Sequence, residues 1–198
     1  MRFLYLHGFA SSPLSRKAQA FRSAFDARAI PLEIPALDGG DFEHLTISGQ
    51  LSLIEDVLQG EPVRLIGSSM GGYLAALYAA AHPEVSRLVL LAPAFAFAPR
   101  WQREDCKDLE VFHYGDQIMR RVHYGLIEDA LQYAPLPDFK QPALIFHGLR
   151  DDVVPIGHSR DFIAHHKNAR LIELESDHEL LDVLEKILAE ALVFLTTP

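Results

Sequence analysis

The chain has 198 residues, 27 acidic against 18 basic side chains and a formal net charge of −9. That length most simply makes one domain, 1–198, with a full core, and the acidic balance disfavours a broad nucleic-acid or anionic-membrane surface. Cys106 is the only cysteine, which excludes an internal disulfide and a thiolate metal cluster and fits a reducing compartment.

Residues 2–6 read as a strand that enters the turn His7-Gly8-Phe9-Ala10. This opening apolar run is too short for a signal peptide, and no apolar stretch approaches membrane-spanning length, so a cytoplasmic location is expected. A second strand is expected over residues 29–34 and a helix over 47–58. The apolar run 63–66 then meets Gly67-Ser68-Ser69-Met70-Gly71, and helical periodicity resumes over 72–81 until His82-Pro83 ends it, because proline cannot continue the hydrogen-bond ladder. Residues 88–91 read as a further strand.

Residues 93–141 are the least regular part and are long for a plain connection. Phe95, Phe97, Trp101, Phe112, Tyr114 and Tyr124 lie here among charged residues. An excursion over the sheet edge is expected, with two or three short helices, and 94–141 is read as a small lid or crossover whose six aromatics are candidates for a substrate pocket. Strand 143–146 runs into His147-Gly148-Leu149-Arg150-Asp151-Asp152-Val153-Val154-Pro155. A helix over 156–166, a strand over 170–173 and a helix over 179–195 complete the alternation. Ser176 and Glu179 read as the reciprocal cap of that last helix. Strands without polar alternation that are joined by helices predict a three-layer α/β sandwich with a mainly parallel sheet of about six strands.

Gly-x-Ser-x-Gly between a strand and a helix is a turn that lifts one hydroxyl to the top of a sheet, with room only for glycine beside it. Ser69 is therefore the candidate nucleophile; Ser68 sits one place off the motif. A serine needs a base, and the base needs a third group to fix its tautomer. Asp151 follows a buried strand at the end where open α/β sheets build their sites, with Asp152 as the lesser alternative. His178 lies in the loop after the next strand and is the candidate base; the other nine histidines are read structurally. Backbone amides of Met70 and Phe9 are the expected oxyanion donors, with His7 bracing the Phe9 turn.

Tyr5-Leu6-His7-Gly8-Phe9-Ala10-Ser11-Ser12-Pro13, Gly67-Ser68-Ser69-Met70-Gly71-Gly72 and His147-Gly148-Leu149-Arg150-Asp151-Asp152-Val153-Val154-Pro155, followed by His178, resemble the α/β-hydrolase superfamily, and the short length resembles its small bacterial YqiA-like esterases. The resemblance spans nearly the whole chain. It implies that Ser69 is acylated, that Asp151 orients His178, that His178 shuttles the proton, and that the sheet order is 2-1-3-4-5-6. One departure is Asp177, where many relatives have glycine before the histidine. The expected activity is carboxylic ester hydrolysis with no metal or organic cofactor, on a small-molecule acyl ester or thioester. The alternatives are an acyl thioesterase, a lyase or carbon–carbon hydrolase with the same triad, and a binding protein with an idle one. Arg100, Arg103, Arg120 and Arg121 are read as solvated, with an anionic substrate as the rival role.

Overall fold

The computed structural model describes residues 1–197. In chain order the elements are β1 (Arg2–Leu6), α1 (Arg16–Asp26), α2 (Ile47–Leu58), β2 (Val63–Ser68), α3 (Met70–Ala81), β3 (Val85–Leu91) and α4 (Phe97–Trp101). There follow β4 (Leu109–His113), β5 (Ile118–Val122), α5 (Gly125–Ala130), β6 (Ala143–Gly148), α6 (Gly157–His165), β7 (Ala169–Leu174) and α7 (Leu184–Thr196). The main sheet has five parallel strands in the order β1-β2-β3-β6-β7, and β4 and β5 form a separate antiparallel hairpin.

The apolar strands follow from the period of two. In β1, Leu4 and Leu6 face the core shared with α2, α3 and Phe162 of α6, while Phe3 and Tyr5 face the one shared with α1 and α7. In β6, Ala143 and Ile145 go to the first core and Leu144 and Phe146 to the second. Phe3–Leu6 of β1 and Ala143–Phe146 of β6 are buried on both faces and so carry no charged side chain, as a sheet covered by helices on each side requires.

The sixth strand contracts to one bridge. Only Glu33 of the 29–34 segment pairs with β1: its N–H donates to Phe3 O at 2.9 Å and its carbonyl accepts from Tyr5 N at 2.8 Å. Pro31 has no N–H to give, and Ala29 sits at φ 55 as the chain leaves α1. Counting that bridge as the outer position, the expected order 2-1-3-4-5-6 is met by a five-stranded sheet with a vestigial edge.

The last helix starts later than expected. Ser176 is no helix cap: its hydroxyl donates to Asp182, and Asp177 Oδ1 instead accepts from Glu179 N at 2.9 Å and Leu180 N at 3.3 Å. Leu180 adopts φ 56, which breaks the helical path, and α7 begins only at Leu184. The excursion between β3 and β6 holds two short helices and the hairpin, where only helices were expected.

Candidate active site

The turn between β2 and α3 is strained for a reason visible in its neighbours. Ser69 has φ 53 and ψ −118, a conformation that costs a non-glycine residue about 1–3 kcal/mol. It is held by Ser69 N donating to Leu91 O at 2.8 Å and by Ser69 O accepting from Tyr73 N and Ala94 N. A Cβ on Gly67 would lie 2.3 Å from Gly71 O, and one on Gly71 would lie 2.1 Å from Leu6 O. The two glycines of the motif are therefore steric requirements of the turn, as its spacing predicts.

Three sequence-predicted residues meet here. Ser69 Oγ is 3.1 Å from His178 Nε2, and His178 Nδ1 is 2.8 Å from Asp151 Oδ2. Asp151 has a fully buried side chain whose Oδ1 accepts from Val154 N at 2.7 Å and Val153 N at 3.0 Å. Burial pushes this carboxyl up, but hydrogen bonds from His147, His178 and the Val154 amide outweigh it and hold the group well below the usual aspartate range. An anionic Asp151 requires the proton of a neutral His178 to be on Nδ1, leaving Nε2 free to take the Ser69 proton. Ser68, the neighbouring hydroxyl, is buried, and Asp152 is exposed.

Gly148 fixes the approach of the histidine loop. A Cβ there would meet Asp177 O at 2.4 Å and Ser176 O at 2.5 Å, so β6 and the 176–178 loop touch only because that residue is glycine. Asp177 turns its carboxylate toward the Glu179 and Leu180 amides. It folds the loop across His178, starting from one of the two residues that meet Gly148.

Gly8 lies against the serine, its notional Cβ 3.3 Å from Ser69 Cβ. Among the described residues, the Phe9 and Met70 amides have no protein acceptor, and Met70 opens α3, where the first N–H groups lack intrahelical partners. His7 braces this turn: its Nδ1 is 3.0 Å from Gly8 O, and its Nε2 accepts from Leu37 N at 3.3 Å. That pattern needs a neutral ring, and burial pushes its pKa down accordingly.

A cavity of about 640 Å³ opens over Ser69 and His178, within the range of small-ligand sites. Phe95, Phe97, Trp101, Phe112 and Tyr114 line it, together with Phe9, Met70, Val111 and Val154. Tyr124 does not; it is buried beneath α4, where its hydroxyl exchanges hydrogen bonds with the Arg103 backbone. Of the four arginines considered, Arg100 lines the cavity but donates to Val153 O at 3.0 Å. Arg103 pairs with Asp105, Arg120 with Asp116 and Arg121 with Asp108.

Sequence reasoning missed the contribution of α1, whose first turn brings Ser15 and Lys17 to the cavity. Lys17 Nζ reaches His178 O at 3.5 Å. The signal was present: Ser15 as cap and Ala18, Phe21 and Phe25 at helical spacing. Among the described residues, Glu55, His82 and Glu84 bring three metal-ligating atoms within 4.8 Å of one another. They lie outside the cavity, with His82 Nδ1 2.7 Å from Glu84 Oε1. Also among the described residues, no helix is long and apolar enough to cross a membrane.

The chain is 27% identical over 201 residues to monoacylglycerol lipase abhd6-B of Xenopus laevis, covering 94% of this chain and 58% of that protein. It is 32% identical over 136 residues to the mitochondrial palmitoyl-protein thioesterase ABHD10 of Bos taurus, covering 59% of this chain and 44% of the relative. The chain thus spans about half the length of these relatives. Among solved structures, Est1E of Butyrivibrio proteoclasticus with bound ferulic acid superposes at TM-score 0.81 with 21% identity, covering 96% of this chain and 87% of the other. ABHD10 from mouse superposes at TM-score 0.80 with 18% identity over 96% and 87% of the two chains. These likenesses establish the α/β-hydrolase fold. The profile of the Uncharacterised protein family UPF0227 matches residues 2–196, and the chain belongs to that family.

Proposed function

We propose that this chain is a serine esterase in which Ser69 is the nucleophile, His178 the proton shuttle and Asp151 its orienter. The observation that carries the reading is the continuous path from Ser69 Oγ through His178 to Asp151, with the serine end facing the cavity. His178 takes the Ser69 proton as Oγ attacks the acyl carbonyl, and the oxyanion accepts from the Phe9 and Met70 amides. His178 then protonates the leaving alkoxide. The same histidine activates water to release the acid and regenerate Ser69.

The aromatic lining supports an apolar acyl or alcohol portion, and residues 94–141 act as a small cap that forms much of that wall. A thioester is included because the tetrahedral chemistry is the same and because one relative is named a palmitoyl-protein thioesterase. A reducing cytoplasm suits the exposed, unpaired Cys106. Hydrolysis of p-nitrophenyl esters and acyl thioesters of graded length tests the reading. The expected result is turnover that Ser69→Ala lowers by about 10³-fold or more in kcat. Equal turnover by wild type and Ser69→Ala would refute it.

A further inference from the structure

Asp151 has a second imidazole beside it that the reaction above does not use. His147, the penultimate residue of β6, has a fully buried side chain; its Nδ1 is 2.8 Å from Ser159 Oγ on α6. Its Nε2 is 2.9 Å from the Val154 carbonyl oxygen and 3.1 Å from Asp151 Oδ2. Both neighbours of Nε2 are acceptors, so that nitrogen carries the proton and is shared between them. A neutral ring must then accept at Nδ1, and the Ser159 hydroxyl is its donor. Ser159, His147 and Asp151 thus repeat the order of serine, histidine and acid. Ser159 is fully buried and does not line the cavity, so no substrate carbonyl can reach it.

We infer that His147, oriented by Ser159, is a positioning residue that holds Asp151 in place and sets the basicity of His178. The inference rests on the Ser69–His178–Asp151 reading. His147 Nε2–H lies against both ends of the 151–154 turn, the Asp151 carboxylate and the Val154 carbonyl, while the Val154 amide closes the same turn onto Oδ1. The oxygen that faces His147 is also the one that accepts from His178. A second donor on Oδ2 draws charge from it, so Asp151 stabilises the His178 imidazolium less than it would with His178 alone on that oxygen.

Other titratable groups surround these rings. Glu173 pairs in register with His147 on β7, and His158 lies nearby on α6. Lys17 Nζ approaches the His178 carbonyl from α1, and Asp177 and Glu179 flank His178 on its own loop. None of them changes in the variants below.

The test is the pH profile of kcat/KM for a p-nitrophenyl ester, measured on the whole chain and on His147→Phe, His147→Gln and Ser159→Ala. Losing the donor makes the carboxylate a stronger partner for the imidazolium, so His178 stays protonated to higher pH. His147→Phe is expected to move the acid limb up by about half a pH unit and to lower kcat about tenfold with KM little changed. His147→Gln keeps an amide donor near the Nε2 position and is expected to restore the limb. Ser159→Ala leaves both acceptors at Nε2, and so the tautomer, but removes the hydroxyl that anchors the ring at Nδ1, and is expected to fall between. A buried ring-to-Phe change can prevent folding; then Ser159→Ala and ¹⁵N NMR of the wild-type histidines decide, with the His147 proton expected on Nε2. An unmoved limb in Ser159→Ala and in folded His147→Phe, or a wild-type proton on Nδ1, would overturn the inference. A folded wild type with no turnover and no labelling at Ser69 would instead sink the esterase reading, with the NMR tautomer still judging His147.

Discussion

Ser69 sits where a side chain is least comfortable, and the glycines around it are what make the position available. Because Gly71 would place a Cβ 2.1 Å from Leu6 O, Gly71→Ala must displace β1 or the turn itself. It is expected to lose about 3 kcal/mol in urea unfolding together with most activity. Gly148→Ala is expected to separate the two effects. Its Cβ would strike the carbonyls of Ser176 and Asp177, so His178 should move and activity fall even if much of the core stays folded. Asp151 adds a pH signature. Its folded pKa lies below the usual 3.8, so its contribution is fully present above the unfolded value and is lost as pH falls below about 4 toward the folded value. The urea midpoint of wild type should drop through that window, and Asp151→Asn should lack this component of the drop. Equal slopes in the two proteins would contradict the assignment of the shift.

At the scale of elements, the β4–β5 hairpin supplies one wall of the cavity through Val111, Phe112, Tyr114 and Gln117. Its turn is tied to the 7–10 turn by Tyr114 N donating to Ala10 O at 2.7 Å, and Gly115 allows close approach to Ser12. Phe112 lines the cavity while remaining 40% exposed. Phe112→Ala should therefore cost under about 1 kcal/mol of stability but raise KM for longer acyl esters about three- to tenfold. The rate of Ser69 labelling by a small fluorophosphonate should not change. This hairpin was not legible in the sequence: Leu109-Glu110-Val111-Phe112-His113 and Ile118-Met119-Arg120-Arg121-Val122 show neither clean alternation nor a continuous apolar run, and the pair docks against Phe42 and the 8–12 turn. The central strands were legible because burial on both faces leaves continuous apolar runs. The start of α7 was misread for a local reason: Ser176 and Glu179 have cap spacing, but Asp177 captures the amides first.

Across the whole molecule, Ser69, Asp151 and His178 come together at the carboxyl ends of β2, β6 and β7, where three separate loops converge. The order Ser69, Asp151, His178 was readable because each residue follows a buried strand, and strand ends on one side of a parallel sheet meet in space. The partners of His147 were not readable. Ser159 lies 12 residues away on a helix with no motif around it, and only the packing of α6 brings it under β6. The cavity was readable as an aromatic supply in 94–141, but not its share from α1. The central claim is that one serine, Ser69, is activated. The direct measurement is intact mass after fluorophosphonate treatment, followed by peptide mapping of wild type, Ser69→Ala and Ser159→Ala. One adduct on Ser69, absent in Ser69→Ala and retained in Ser159→Ala, is the predicted result. An adduct on Ser159 or Ser68, or none on folded wild type, would contradict it.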